Sequence, residues 1–262
     1  MNLEEKNLQQ LEKRLLQRLR TASKQYGLIA DGDRILVGLS GGKDSLCLLR
    51  LLALQSRIHQ PSFTVEAVHV RMKEVQYEST PNYLESFCQE LGVPFTVLTA
   101  TLTHSDSSSN PERHPEGSSS PTHHRNKPIC FLCSWNRRKQ FFNFAQENGF
   151  NKIALGHHQD DILHTALMNL TFAGHFSTMP ARLTMKKMPL SIIRPLCMIQ
   201  EADIMRYATL MGFQPLLKKC PFEHVSQRTA ARRLFEEISA MNPEARNSLW
   251  HALESAGKLV ES

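Results

Sequence analysis

No apolar run in the 262 residues approaches the roughly 20 needed to cross a bilayer, which excludes a membrane-spanning helix. The start, Met1-Asn2-Leu3-Glu4-Glu5-Lys6, lacks the basic-then-apolar plan of a secretory signal. Both absences point to the cytoplasm, where thiols stay reduced. The six cysteines are therefore not expected to form disulfides, and any that cluster are better read as metal or sulfur ligands. Internal repeats are missing. So are the two commonest glycine-rich nucleotide loops, Gly-x-x-x-x-Gly-Lys-Ser/Thr and Gly-x-Gly-x-x-Gly. What is present is ordinary for a folded protein: 41% hydrophobic and 21% charged residues argue against disorder of the whole chain. The length suits one large α/β domain with small additions. A net charge of +6 permits a polyanionic partner without requiring one.

Periodicity divides the chain. Leu8, Leu11, Leu15, Leu19 and Ala22 recur at helical spacing and predict an amphipathic N-terminal helix ending near Tyr26-Gly27. Strands are expected over Ile35–Leu39, Phe63–Val70, Phe95–Thr99 and Lys152–Leu155. Helices are expected over Leu46–Leu54, Asn82–Leu91, Ser134–Asn148 and Ile162–Phe172. Strands alternating with helices imply an α/β fold with a doubly wound parallel sheet. Ligands then sit beyond the carboxyl ends of the strands, so the loops after Leu39, Val70, Thr99 and Leu155 should surround one site. After Arg194-Pro195 the chain reads as helical, with helices over Glu201–Met211, Thr229–Ala240 and Pro243–Leu253. Residues 104–127, rich in Ser, His and Pro, read as a flexible insertion; His104, His114, His123 and His124 are better taken as solvated than as metal ligands. The expected organisation is an N-terminal helical extension (1–30), a nucleotide-binding domain (31–215) and a C-terminal helical segment (216–262).

Ser40-Gly41-Gly42-Lys43-Asp44-Ser45 falls between a predicted strand and a predicted helix. Two glycines let backbone amides approach a phosphate, the helix N-terminus adds positive potential, and Ser40, Ser45 and Lys43 add donors. A carboxylate is out of place in an anion site, so Asp44 is read as a magnesium ligand. Leu155-Gly156-His157-His158-Gln159-Asp160-Asp161 closes the last predicted strand and opens a helix. Asp160 and Asp161 either cap that helix or act as a magnesium or substrate-orienting pair; His157 and His158 either bond phosphate or buttress the loop. Cys130-Phe131-Leu132-Cys133 precedes a basic stretch containing Arg137, Arg138 and Lys139, and Cys220 lies in Lys218-Lys219-Cys220-Pro221. A single Cys-x-x-Cys is ambiguous among zinc, redox chemistry and coincidence; three cysteines also suit a [4Fe-4S] cluster with one open iron. Cys47, Cys88 and Cys197 read as buried small residues.

The hexapeptide 40–45 resembles the signature of the PP-loop (N-type) ATP pyrophosphatases. Over residues 8 to 238 the chain is similar to their tRNA 2-thiocytidine synthetase group. The similarity includes Asp31-Gly32-Asp33-Arg34, the Cys130/Cys133 pair, the His-His-x-Asp-Asp stretch, Ile193-Arg194-Pro195-Leu196 and Cys220. This resemblance implies an adenine nucleotide alpha hydrolase-like fold and cleavage of ATP between its α and β phosphates. It implies adenylation of a base oxygen, at O2 of cytidine 32 in tRNA, followed by replacement with sulfur. The nucleotide-binding residues it implies are Ser40, Gly41, Gly42, Lys43, Asp44, Ser45, His69, Gly156 and His157. The catalytic ones are Asp44, Asp160, Asp161 and Arg137, and the cluster ligands Cys130, Cys133 and Cys220. ATP, Mg²⁺ and a [4Fe-4S] cluster are the implied cofactors, and tRNA and a sulfur donor such as a cysteine desulfurase the implied partners; the group admits a homodimer, and no membrane is involved. The chain departs from the group at His164-Thr165, where relatives often carry Glu-Thr, and at Glu223, where many carry a fourth cysteine. Two rival readings are a cluster-free ligase resembling lysidine synthetase and a zinc-stabilised, non-catalytic RNA-binding protein.

Overall fold

A computed structural model of the chain describes residues 3–73, 76–77, 82–101, 129–186, 188–216, 218–219 and 227–261, the side chains of 3, 76–77, 129–134 and 218–219 excepted. The insertion 104–127 and Cys220 lie outside the described residues. In chain order the elements are α1 (Leu3–Tyr26), β1 (Arg34–Gly38), α2 (Lys43–Ser56), β2 (Thr64–Met72), β3 (Gln76–Tyr77), α3 (Asn82–Leu91) and β4 (Phe95–Ala100). Then come α4 (Ile129–Glu147), β5 (Lys152–Ala154), α5 (Gln159–Phe172), β6 (Arg182–Thr184), β7 (Ser191–Ile193) and α6 (Glu201–Leu210). The chain closes with β8 (Lys218–Lys219), α7 (Gln227–Met241), α8 (Ala245–Ser255) and β9 (Val260–Glu261). Among the described residues no helix is long and apolar enough to cross a membrane.

Seven strands form one sheet in the order β4-β2-β1-β5-β7-β6-β9. The sheet is mostly parallel; β6 runs antiparallel to β7. From β1 the chain builds outward through β2 to β4, then returns to the other side of β1 at β5. That reversal opens the crevice in which such sheets bind ligands. Register fixes which loops share it. Val37 lies opposite Ala67 and Ala154, and Ala154 opposite Ile193, so the chain leaves β1, β5 and β7 at one level.

Alternation along the strands sends side chains to two cores. Ile35, Val37, Ala154 and Ile193 face a large core filled by the leucines of α1 and α2 and by residues of α3, α5, α6, α7 and α8. Leu36, Val68 and Ile153 face a smaller one covered by Phe141 and Ala145 of α4. The expected N-terminal helix is present, with Leu15, Leu19 and Ala22 fully buried.

The C-terminal part is not purely helical as its sequence suggests. Val260–Glu261 adds an edge strand beside β6, and Lys218–Lys219 pairs with β3. Pieces of two or three residues carry too little alternation to be read, and only their pairing partners make them strands. Helix α4 begins at Ile129 rather than Ser134, so Cys130 and Cys133 fall in its first two turns instead of ahead of it. Pro128 is a helix-start signal that marks this earlier beginning.

Candidate functional site

The loop between β1 and α2 keeps its donors inward. Gly41 has φ +84, a conformation open to glycine, and a Cβ there would meet Leu216 Cδ1 at 2.5 Å. Leu216 also donates its amide to the Gly41 carbonyl at 2.9 Å, tying the segment before β8 to the loop. Ser40 and Ser45 share a hydrogen bond of 3.1 Å, and Ser45 Oγ donates to the Gly42 carbonyl at 2.9 Å. Gly42 is the N-cap of α2 and has no side-chain cap, so the helix start presents backbone amides and the positive end of its dipole.

Gly156 brings the second segment against this loop. A Cβ at Gly156 would lie 3.0 Å from both Asp44 C and Ser45 N. Those are backbone atoms that cannot swing aside, so the close approach of β5 to α2 requires glycine here.

Charge on this side is matched nearly one for one. Lys43 Nζ donates to Asp44 Oδ2 at 3.3 Å and to Glu201 Oε1 at 3.1 Å. Burial works against the Lys43 ammonium, but Asp44 and Glu201 outweigh it and leave its pKa raised. Glu201 also lies 3.5 Å from Arg232. Asp160 accepts the Glu201 amide at 2.7 Å and Arg246 at 2.6 Å. Burial alone would raise the Asp160 carboxyl; Arg246 and the Glu201 amide reverse that and hold its pKa below 3.8. Both Asp160 oxygens are thus engaged in fixing α6 and α8. His158 caps α5, and Asp161 Oδ2 accepts its amide at 3.2 Å. Asp161 thus supplies the N3 half of a capping box, whereas Asp160 is engaged elsewhere.

Buried His158 stands among three carboxylates, 3.9 Å from Asp44, 3.6 Å from Asp160 and 3.5 Å from Asp161. Its Nδ1 is buried without a hydrogen bond. Asp44 Oδ1, although 3.1 Å from Lys43 Nζ, is likewise buried and accepts none. A carboxylate oxygen that meets an ammonium as an ion pair but accepts no hydrogen bond, beside a phosphate loop, fits a Mg²⁺ ligand. Among the described residues no three His, Cys, Asp or Glu side chains form a metal cage. Mg²⁺ commonly takes one or two carboxylates together with phosphate oxygens and water, so it needs no such cage.

On the other side of β1 and β5, beneath α4, lies a cavity of about 600 Å³. Val68, Val70, Phe141, Phe142, Leu155 and Met179 supply apolar walls, and Ser40, His69 and His157 its polar edge on the loop side. That volume and mixture suit a nucleoside. His69 Nδ1 bonds the Leu39 carbonyl at 2.7 Å. His157 Nδ1 accepts from Arg194 Nε at 3.2 Å, which leaves its proton on Nε2. Burial, and then the Arg194 charge, push the His157 pKa down to about 4, so it works as a neutral donor at pH 7. Arg137, Arg138, Arg194 and Arg228 complete the lining.

Of the residues singled out in the sequence, 40–45, Asp161, Gly156, His157, His69 and Arg137 converge here. Asp160 is turned to Arg246. His164 is buried with its ring edge-on to Phe235 of α7, 5.5 Å between centroids, and serves packing. Arg194, Arg228, Glu201 and Arg246 were not legible as site residues. For Arg194 a signal existed: an arginine between an apolar strand and Pro195.

The cysteines sort by environment. Cys47, Cys88 and Cys197 are buried and unbonded, and burial raises each thiol, to about 12 for Cys88 and Cys197. They are poor ligands. Cys133 lies four residues before Arg137 in α4, about 6 Å along the helix axis. Cys220 directly follows β8, and Leu216, four residues earlier, is fastened to Gly41. Cys220 and the side chains of Cys130 and Cys133 lie outside the described residues.

The sheet, its switch point and the loop define a nucleotide-binding α/β protein whose anion site is a strand-to-helix turn. The PP-loop domain matches residues 7–214, and the chain belongs to the PP-loop family, in the group of the tRNA-cytidine(32) 2-sulfurtransferases. It is 35% identical over 259 residues to tRNA-cytidine(32) 2-sulfurtransferase 1 of Francisella tularensis subsp. novicida (strain U112), covering 97% of this chain and 90% of that one. It is 34% identical over 251 residues to the Legionella pneumophila (strain Corby) tRNA-cytidine(32) 2-sulfurtransferase, covering 95% and 83%. Its fold is similar to that of the U34-tRNA thiolase NcsA from Methanococcus maripaludis, solved with its [4Fe-4S] cluster. The TM-score is 0.67 at 20% identity, over 92% of this chain and 77% of that one.

Proposed function

We propose that this protein is an ATP-dependent tRNA sulfurtransferase that replaces O2 of cytidine 32 with sulfur. The observation that carries this reading is the 35% identity, over nearly the whole of both chains, to enzymes named for that reaction. The site's layout supports it. The C2 oxygen of the base bonds to the α phosphorus of ATP as the α–β bridge breaks and pyrophosphate leaves. A sulfur nucleophile then bonds to C2, and the C2–O bond breaks to release AMP.

In this scheme the loop amides, Ser40, Ser45 and Lys43 hold the departing pyrophosphate. Lys43 exchanges Glu201 for phosphate oxygen, and Asp44 holds Mg²⁺. Neutral His157 donates from Nε2, and Arg137 stabilises phosphoryl charge. The cavity beneath α4 excludes water from the activated base. Asp160 acts as a positioning residue through Glu201. Cys130, Cys133 and Cys220 would hold a [4Fe-4S] cluster, which would supply an open iron for the sulfur. The sulfur donor is of the cysteine desulfurase class, the active form a homodimer, and the compartment the cytoplasm; residues 31–215 carry the ATP chemistry between a helical extension (1–30) and a helical segment (216–262).

The test is iron, labile sulfide and the visible spectrum of protein purified without oxygen, with mass spectrometry of incubated tRNA. About four irons per chain, lost in Cys130→Ala, and 2-thiocytidine at position 32 are expected. Cys220→Ala should lose thiolation and keep ATP binding. Zinc or no metal, with pyrophosphate still released, would leave an adenylating enzyme with a different nucleophile.

A further inference from the structure

The cavity beneath α4 holds a surplus of cations that the chemistry assigned so far does not use. Arg194 is 6% exposed, yet no carboxylate of the described residues pairs with it. Its Nε goes to neutral His157 and its Nη1 to the Pro180 carbonyl; Nη2 has no partner among the described residues. Burying an unpaired guanidinium is costly unless something anionic faces it. None of the cavity's lining residues is acidic, and Asp161, outside the lining, acts on Arg194 only at longer range. Arg138 and Arg228 line the same space, and Arg228 reaches only as far as Asp161, at 3.9 Å. The crowding registers on the groups themselves. Burial first, and Arg138 among the charges, bring Arg194 down to about 10 although Cys197 and the more distant Asp161 act the other way; Arg194 and Arg228 likewise push His157 down against Asp161. Lys43, by contrast, is already paired twice.

We propose that Arg194, with Arg138 and Arg228, forms a second phosphoryl-binding subsite, separate from the phosphate loop. It holds a single phosphodiester or phosphomonoester group while the loop holds pyrophosphate. The forked guanidinium suits two oxygens of one phosphate. Its placement at the end of β7, across β5 from the loop, separates the two anions by one strand. The inference rests on the reading of the loop as the pyrophosphate site. Two sources fit the same chemistry: the α phosphate that stays with AMP, and a backbone phosphate next to the target nucleotide.

The experiment measures the affinity of full-length protein for three probes separately: AMP, inorganic pyrophosphate and an anticodon stem–loop RNA. Wild type is compared with Arg194→Gln and Arg138→Gln. Arg138 is exposed, so its variant remains informative should Arg194→Gln fail to fold in thermal melts. The expected result is a loss of about tenfold or more for AMP with pyrophosphate within about twofold of wild type. Loss of RNA affinity with AMP unchanged would support the subsite and assign its phosphate to the RNA backbone. Unchanged affinity for both in Arg138→Gln and in folded Arg194→Gln would overturn the subsite, as would a parallel loss of pyrophosphate. AMP binding needs no RNA, sulfur or cluster, so failure of the thiolation reading would leave this result standing.

Discussion

Two regions meet at the carboxyl edge of the sheet and treat charge in opposite ways. On the α2 side every cation has an acid: Lys43 has Asp44 and Glu201, Arg246 has Asp160, and Arg232 has Glu201. On the α4 side the arginines line a cavity that contains no acid. The first region is a set of ion pairs that locks α6, α7 and α8 around the loop and can release Lys43 to a phosphate. The second gathers arginines around a space whose lining includes no carboxylate, which suits an incoming anion. Apart from Lys43, which is freed for phosphate, substitutions among the α2-side ion pairs should therefore show mainly in stability, and those of the α4-side arginines mainly in binding.

The largest effect is expected where the two regions touch. Gly156→Ala puts a Cβ 3.0 Å from the backbone of Asp44 and Ser45. Pushing α2 back should cost about 1–3 kcal/mol of stability and reduce pyrophosphate release by about 100-fold or more. Thermal melts and a pyrophosphate assay read both, and an unchanged rate would show that the loop tolerates displacement. Lys43→Ala removes a donor from the loop and should lower pyrophosphate release by about 10²-fold. Its melting temperature should change little, because the ion pairs it leaves are partly exposed.

Asp160→Asn tests the locking role itself. Losing the charged hydrogen bond to Arg246 should cost about 1.5–3 kcal/mol in denaturant titrations. The sign of its pH dependence follows from the lowered pKa. The folded carboxyl releases its proton more readily than the unfolded one, so its stabilisation is in place above pH 3.8 and fades as pH falls through the folded value. The variant should lose that acid-side dependence.

His157→Gln addresses the cavity side by the opposite proton balance. With a folded pKa of about 4 against 6.5 unfolded, the unfolded chain binds the extra proton between those values. Stability should therefore fall as pH drops from 6.5 towards 4, and this slope should weaken in the variant. The smallest effect belongs to Arg232→Ala, half exposed at the rim, which should change stability by no more than about 0.5 kcal/mol. A larger loss would mean that α7 depends on its ion pair rather than on Phe235 packed between His164 and Arg246.

The sequence by itself determined the alternation of strands and helices, the loop 40–45, the segment 155–161 and the grouping of the chain. Each of these is local: hydrophobic period, glycine placement and residue order are written within a few residues of one another. Only the tertiary structure decided which charges meet. Arg246 reaches Asp160 across 86 positions and Glu201 reaches Lys43 across 158, because the register of β1, β5 and β7 brings their ends to one level. The same register turned Asp160 from a candidate catalyst towards a lock on α6 and α8. It also placed Arg194 in a cavity without an acid. Side-chain pairing across a sheet edge depends on which strands become neighbours, and a short strand such as Ser191–Ile193 declares its neighbour only when the chain has folded.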